Sequence, residues 1–134
     1  MGLAFLLVLL GLGCLFLAYR EQEPFQEIKV KGEALQKLVV QETVSQGADP
    51  MERTIDFAAL QRINPEIVGW LYVPQIGVDS PILTGQTDTE YLTKDFEGAY
   101  SPLGSIFTFA GARLSDSQVY LFAHNMASGQ MFGV

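Results

Sequence analysis

The sequence predicts a mostly β domain, a sandwich or barrel, set behind an N-terminal helical segment and a membrane-spanning helix. Two observations carry that reading. Residues 2–19 hold no charged side chain and are mostly Leu, Phe, Val and Ala, whereas the second half of the chain breaks into short β-forming runs separated by turn residues. A chain of 134 residues has room for one small domain plus an anchor. The expected organisation is a signal anchor over 1–20, a helical or linker segment over 21–54, and the compact domain over 55–134.

The apolar run from Gly2 to Tyr19 lies at the short end of what crosses a bilayer core as a helix. A cleavable signal peptide would have a shorter apolar run, a basic start and a small-residue cleavage site. Gly11-Leu12-Gly13-Cys14 approximates a lipoprotein box, but Gly11 stands where Leu is wanted. Met1-Gly2 invites myristoylation, yet Leu6 replaces the Ser or Thr that signal needs. The reading is an uncleaved anchor, with the lipid bilayer as partner. Arg20 after the span, with nothing basic before it, leaves the orientation undecided by charge.

Every charge lies beyond that run, so the remainder carries the whole formal net charge of −7. Nucleic acid calls for a basic face, and this chain offers none. Nor does it offer attraction to anionic lipid. Cys14, the only cysteine, sits in the apolar run as a small hydrophobic residue with no disulfide partner.

Residues 21–54 place Ile28, Leu35, Leu38 and Val39 at helix-compatible spacing, against a cost of roughly 1 kcal/mol at Gly32. A helix packed on the domain and a solvated stalk are both open. Ser45 to Pro50 reads as a loop. Asp56 can cap a short helix whose Phe57, Leu60 and Ile63 share a face, ended by Asn64-Pro65. Ile67–Val73 then reads as a strand stopped by Pro74. Val78–Leu83 is a second strand, with Pro81 marking an edge or bulge. Thr89–Phe96 can form a helical turn. Ser105–Phe109 and Val119–Ala123 are further short apolar runs around a polar 111–118 loop. Four strands are few for a closed β domain, and an open sheet leaves unpaired edges.

His124 is the only histidine, at the point where the run 119–123 gives way to a loop. Rigidly supported loops gather catalytic groups, and imidazole suits proton transfer near neutral pH. A lone histidine at a strand end is nonetheless more often structural. One histidine makes a poor zinc site, and neither common phosphate-binding glycine loop is present, so no metal or cofactor is expected. Asp79, Asp88, Glu90, Asp95, Glu97 and Asp116 read as scattered acids on a solvated face. Asn64-Pro65, Trp70 and Asp95-Phe96 read as turn, core and loop. Ser105 and Ser128 lack any nucleophile-elbow context.

Taken in order, several segments resemble the class B sortases. They are Ile63-Asn64-Pro65-Glu66-Ile67-Val68-Gly69-Trp70-Leu71, Val78-Asp79-Ser80-Pro81-Ile82, Asp88 with Glu90-Tyr91-Leu92, and Asp95-Phe96-Glu97-Gly98. Gly104-Ser105-Ile106-Phe107 follows, then His124-Asn125-Met126 and Gly129-Gln130-Met131-Phe132-Gly133. The resemblance covers about residues 55–134. Ser80, Phe109 and Ala123 depart from it, standing where the family commonly has an aromatic residue, an acid and Gly.

The resemblance implies a sortase-like β-barrel, incomplete in these residues, preceded by helices. It also implies a cysteine transpeptidase on the outer face of a Gram-positive cell membrane, held by a single span. The substrates implied are secreted proteins bearing a C-terminal sorting signal, and the acceptor is a cell-wall precursor or pilin amine. The family's histidine matches His124. Its nucleophilic cysteine and its arginine match nothing here, and neither Cys14 nor Arg113 takes their place, so these residues alone are expected to be inactive. The alternative is a non-enzymatic, membrane-tethered β domain that binds a surface partner.

Overall fold

The computed structural model describes residues 2–41, 52–126 and 131–133. The 45–50 loop, Ser128 and the Gly129-Gln130 pair lie outside them. Helix α1 runs Gly2–Val39 through the expected boundary at residue 20. Among the described residues no helix is long and apolar enough to cross a membrane, so the expected span is not shown. The described side chains from Leu6 to Leu17 are all exposed.

The C-terminal half of α1 is packed, not a free stalk. Leu35 and Val39, four residues apart on one helical face, are buried. Leu38 falls to the side of that face and is 65% exposed, which corrects its place in the expected stripe. Lys31 reaches Asp95 and Glu97, each at 3.2 Å, and Gln36 donates to the Asp79 carbonyl at 2.7 Å. The chain leaves α1 through β1 (Val40–Gln41), which pairs antiparallel with β2 (Thr54–Ile55).

Helix α2 spans Phe57–Ile63, with the Asp56 carboxylate accepting from the Ala59 N–H at 2.8 Å as expected of an N-cap. Asn64 ends it in an extended conformation. It is more than a turn residue. Buried, it donates from Nδ2 to the Tyr91 hydroxyl and the Phe96 carbonyl, and accepts from the Glu66 N–H at Oδ1.

Strand β3 covers Ile67–Val73 and β4 covers Val78–Thr84, joined by a 3₁₀ turn that Gly77 closes at φ 68°. Strand β5 (Ile106–Thr108) completes a sheet of order β3-β4-β5, with the first pair antiparallel and the second parallel. The barrel is therefore not closed in these residues. Strand β4 is central, so Pro81 is not on an edge strand. Its ladder with β5 starts only at Ile82, which leaves Pro81 a strand neighbour on the β3 side alone. The register irregularity falls instead at Ile67/Gly69.

Adjacent strand residues face opposite ways, and the register uses both faces. Ile67, Leu83 and Phe107 line up across the sheet and meet Leu35, Val39, Leu60 and Tyr91 on the helical side. Ile82 and Ile106 line up on the other face, where Leu121, Ala123, Met131 and Phe132 pack. The run 119–123 is not a strand, contrary to expectation. Only Phe122 pairs, exchanging two backbone hydrogen bonds with Phe107 at 3.0 and 2.8 Å. The 89–96 stretch contains one 3₁₀ turn, Glu90–Leu92.

Candidate active site

His124 follows the Phe122 bridge, which fixes its approach to the end of β5. Its ring is half-buried, and Nδ1 lies 2.9 Å from the Leu103 carbonyl oxygen. A carbonyl can only accept, so Nδ1 carries the proton and donates. In the neutral ring Nε2 is then left with a lone pair, the state a general base needs. On the exit side the Phe132 N–H donates to the His124 carbonyl at 3.1 Å, and Asn125 bridges Met131. The histidine is thus braced from both sides of its own backbone.

The Leu103 carbonyl belongs to a tight turn. Gly104 N–H donates to the Ser101 carbonyl and Leu103 N–H to the Ser101 hydroxyl. Ser105 N–H donates to the Tyr91 carbonyl at 2.9 Å, and its hydroxyl to the Lys94 carbonyl at 2.9 Å. Ser105 is buried and committed to that bond, so it is a structural tie and not a nucleophile. The other candidate, Ser128, is outside the described residues.

The remaining sequence candidates separate from His124. Arg113 lies on the exposed 111–118 loop, where its N–H meets Asp116 at 2.9 Å. Cys14 is a free, exposed thiol on the apolar run of α1. Among the described residues no three His, Cys, Asp or Glu side chains converge as a metal site.

Asp79, Glu90 and Asp95 are not part of a loose solvated face, whereas Asp88, Glu97 and Asp116 are exposed as expected. Asp79 takes both guanidinium nitrogens of Arg53 and the Trp70 indole N–H, the last at 2.7 Å. Asp95 is buried and accepts from the Glu97 and Ala99 N–H groups as well as Lys31. Glu90 pairs with Lys94, and Asp88 accepts from the Ala110 N–H. Trp70 is half-buried, with a polar anchor in place of a purely apolar core position. Between α1 and the sheet lies a cleft of about 530 Å³ that Gly32, Gln36, Trp70, Asp95, Leu103 and Met131 help to line.

No protein-family model matches the chain. A curated relative, sortase B of Staphylococcus aureus, is 34% identical over 80 residues, which is 58% of this chain and 33% of the relative. The crystal structure of sortase B from B. anthracis in complex with AAEK1 superposes with a TM-score of 0.66 at 27% identity, over 81% of this chain and 52% of that one. The likeness to class B sortases holds in both sequence and fold.

A further structure, sortase B complexed with triglycine, gives a TM-score of 0.53 at 33% identity, covering 57% of this chain and 36% of that one. The chain thus spans a third to a half of the length of these class B sortases. The structure also adds what the family motif did not announce. Gly104, inside the motif, directly follows the carbonyl that His124 Nδ1 meets, and Arg53, before the segments that carry the resemblance, clamps Asp79.

Proposed function

We propose that these residues supply the acid/base histidine of a class B sortase-type cysteine transpeptidase. The observation that supports this best is the donation from His124 Nδ1 to Leu103, which leaves Nε2 as the working nitrogen. In the reaction proposed, a thiolate attacks a peptide carbonyl of a sorting signal and forms an acyl-enzyme. His124, made imidazolium by the proton that the cysteine thiol gives up to Nε2, returns that proton to the departing amine as the C–N bond breaks. It then takes a proton from the incoming amine as that amine attacks the thioester and releases the thiolate. An arginine guanidinium stabilises the oxyanion in each half.

The thiol and the guanidinium are proposed to come from outside these 134 residues: the only thiol here, Cys14, belongs to the apolar run of α1, and Arg113 lies on the exposed 111–118 loop. These residues alone are therefore proposed to be inactive. The substrates are secreted proteins with a C-terminal sorting signal, and the acceptor is a wall-precursor or pilin amine. A relative complexed with triglycine supports an acceptor of glycine type. The exposed apolar run Leu6–Leu17 supports a membrane anchor; the extracytoplasmic side is proposed from the sortase reading alone.

The test is His124→Ala in the enzyme carrying its nucleophile. Transpeptidation of a sorting-signal peptide onto triglycine should fall by at least about a thousandfold, the order expected when an acid/base group is lost. The circular-dichroism spectrum should not change. Turnover within tenfold of wild type would remove His124 from the mechanism.

A further inference from the structure

We infer that the turn Ser101–Ser105 is the positioning element of His124, setting which ring nitrogen carries the proton, and that Gly104 is the residue on which this depends. The inference deepens the acid/base reading above and rests on it for its catalytic meaning.

The geometry is specific. Gly104 has φ 62°, in the left-handed region that disfavours other residues. A Cβ there would lie 2.4 Å from the Tyr91 carbonyl oxygen and 2.6 Å from that of Leu92. Both are backbone atoms, and Tyr91 is buried, so they have nowhere to yield. The glycine lets the turn press against the 91–94 segment, where Ser105 makes its two bonds. The Leu103 carbonyl is one peptide unit upstream of that contact. With Leu103 buried and its N–H tied to the Ser101 hydroxyl, the carbonyl has little freedom to turn away from His124.

A backbone acceptor also differs from a carboxylate in kind. A carboxylate would add a negative charge that stabilises imidazolium, whereas a carbonyl selects the tautomer and adds only a dipole. Among the described residues His124 is thereby oriented without a charged partner, with Nε2 free to exchange its proton with the reacting groups.

The chain's single histidine makes the test unambiguous. Long-range ¹⁵N–¹H correlation spectra of the labelled 134-residue chain in detergent micelles report the protonated nitrogen directly. At about pH 9, where an ordinary imidazole is neutral, the wild type should be predominantly Nδ1–H. Gly104→Ala should shift the population to Nε2–H by several-fold. Should that variant not fold, Ser101→Ala decides, since it removes only the hydroxyl that holds the Leu103 N–H and should give a smaller shift the same way.

Nε2–H in the wild type, or an unchanged tautomer in a folded variant, overturns the inference. A purely structural role for Gly104 would lower the melting temperature without moving the tautomer. No turnover is measured, so failure here is separate from failure of the transpeptidase reading, which the His124→Ala assay judges.

Discussion

The carboxylate of Asp79 is gripped by Arg53 through two guanidinium nitrogens, one at 2.9 Å, while the same guanidinium lies 3.7 Å from the centre of the Tyr72 ring. Asp79 also accepts from the Trp70 indole, so one carboxylate ties the segment before β2 to β3 and β4. Both charged side chains are largely shielded, at 15% and 21% exposure. Asp79→Ala leaves a guanidinium and an indole N–H without their acceptor and should cost about 2 kcal/mol. Denaturant unfolding measures that loss. The emission of Trp70, the only tryptophan, should shift before unfolding begins.

Tyr91 predicts an alkaline limit to stability. Burial raises its hydroxyl well above the usual phenol range, reinforced by the hydrogen bond it donates to Glu66 at 2.6 Å. A raised folded value means the native state holds the proton after the unfolded chain has released it. Its contribution is thus complete below about pH 10 and is lost as pH rises toward the folded value. Stability should be flat through neutral pH with respect to this group and fall above about pH 10. Tyr91→Phe should flatten that fall while lowering neutral stability by about 1–2 kcal/mol, through the partners it strands.

Lys31 acts in the same direction and can be told apart. Its hydrogen bonds to Asp95 and then Glu97 hold its ammonium above the usual lysine range. The contribution is present below that range and disappears as pH climbs through the raised value. Lys31→Gln should weaken the docking of α1 at neutral pH and remove its share of the alkaline loss. Amide exchange in α1 around residues 28–39 reads this locally.

The docked end of α1 should be indispensable to the domain. Leu35→Ala removes a side chain from the core shared with Leu60, Ile67 and Leu83, at a cost of about 2–5 kcal/mol. Residues 55–134 expressed without α1 should lose the cooperative thermal transition. A sharp melt from that truncated piece would show the helix to be dispensable.

What was legible in the sequence was local. The Asp56 cap, the Ile67–Val73 strand and the stop at Pro74 depend on neighbours within a few residues, and each stands as read. The run 119–123 misled because its β-forming residues suit a strand, while a strand also needs a partner. Among the described residues only Phe107 offers one. Asp79 and Asp95 misled for the same reason. Arg53 and Asp79 are 26 residues apart and Lys31 and Asp95 are 64 apart, separations that spacing cannot read.

His124 stood out by its surroundings, but its support did not, because a backbone carbonyl leaves no mark on side-chain chemistry. The only trace was Gly104, whose need for a left-handed turn becomes visible once the 91–92 carbonyls are beside it.

Helix α1 joins its exposed apolar run and its docked face in one continuous helix. From Leu17 to Lys31 the axis advances about 21 Å at the usual rise per residue. On the anchored reading, that length works as a standoff gauge. It would fix how high above the lipid surface the histidine rides, and adding or deleting a few residues would swing the whole domain by about 100° per residue about the helix axis.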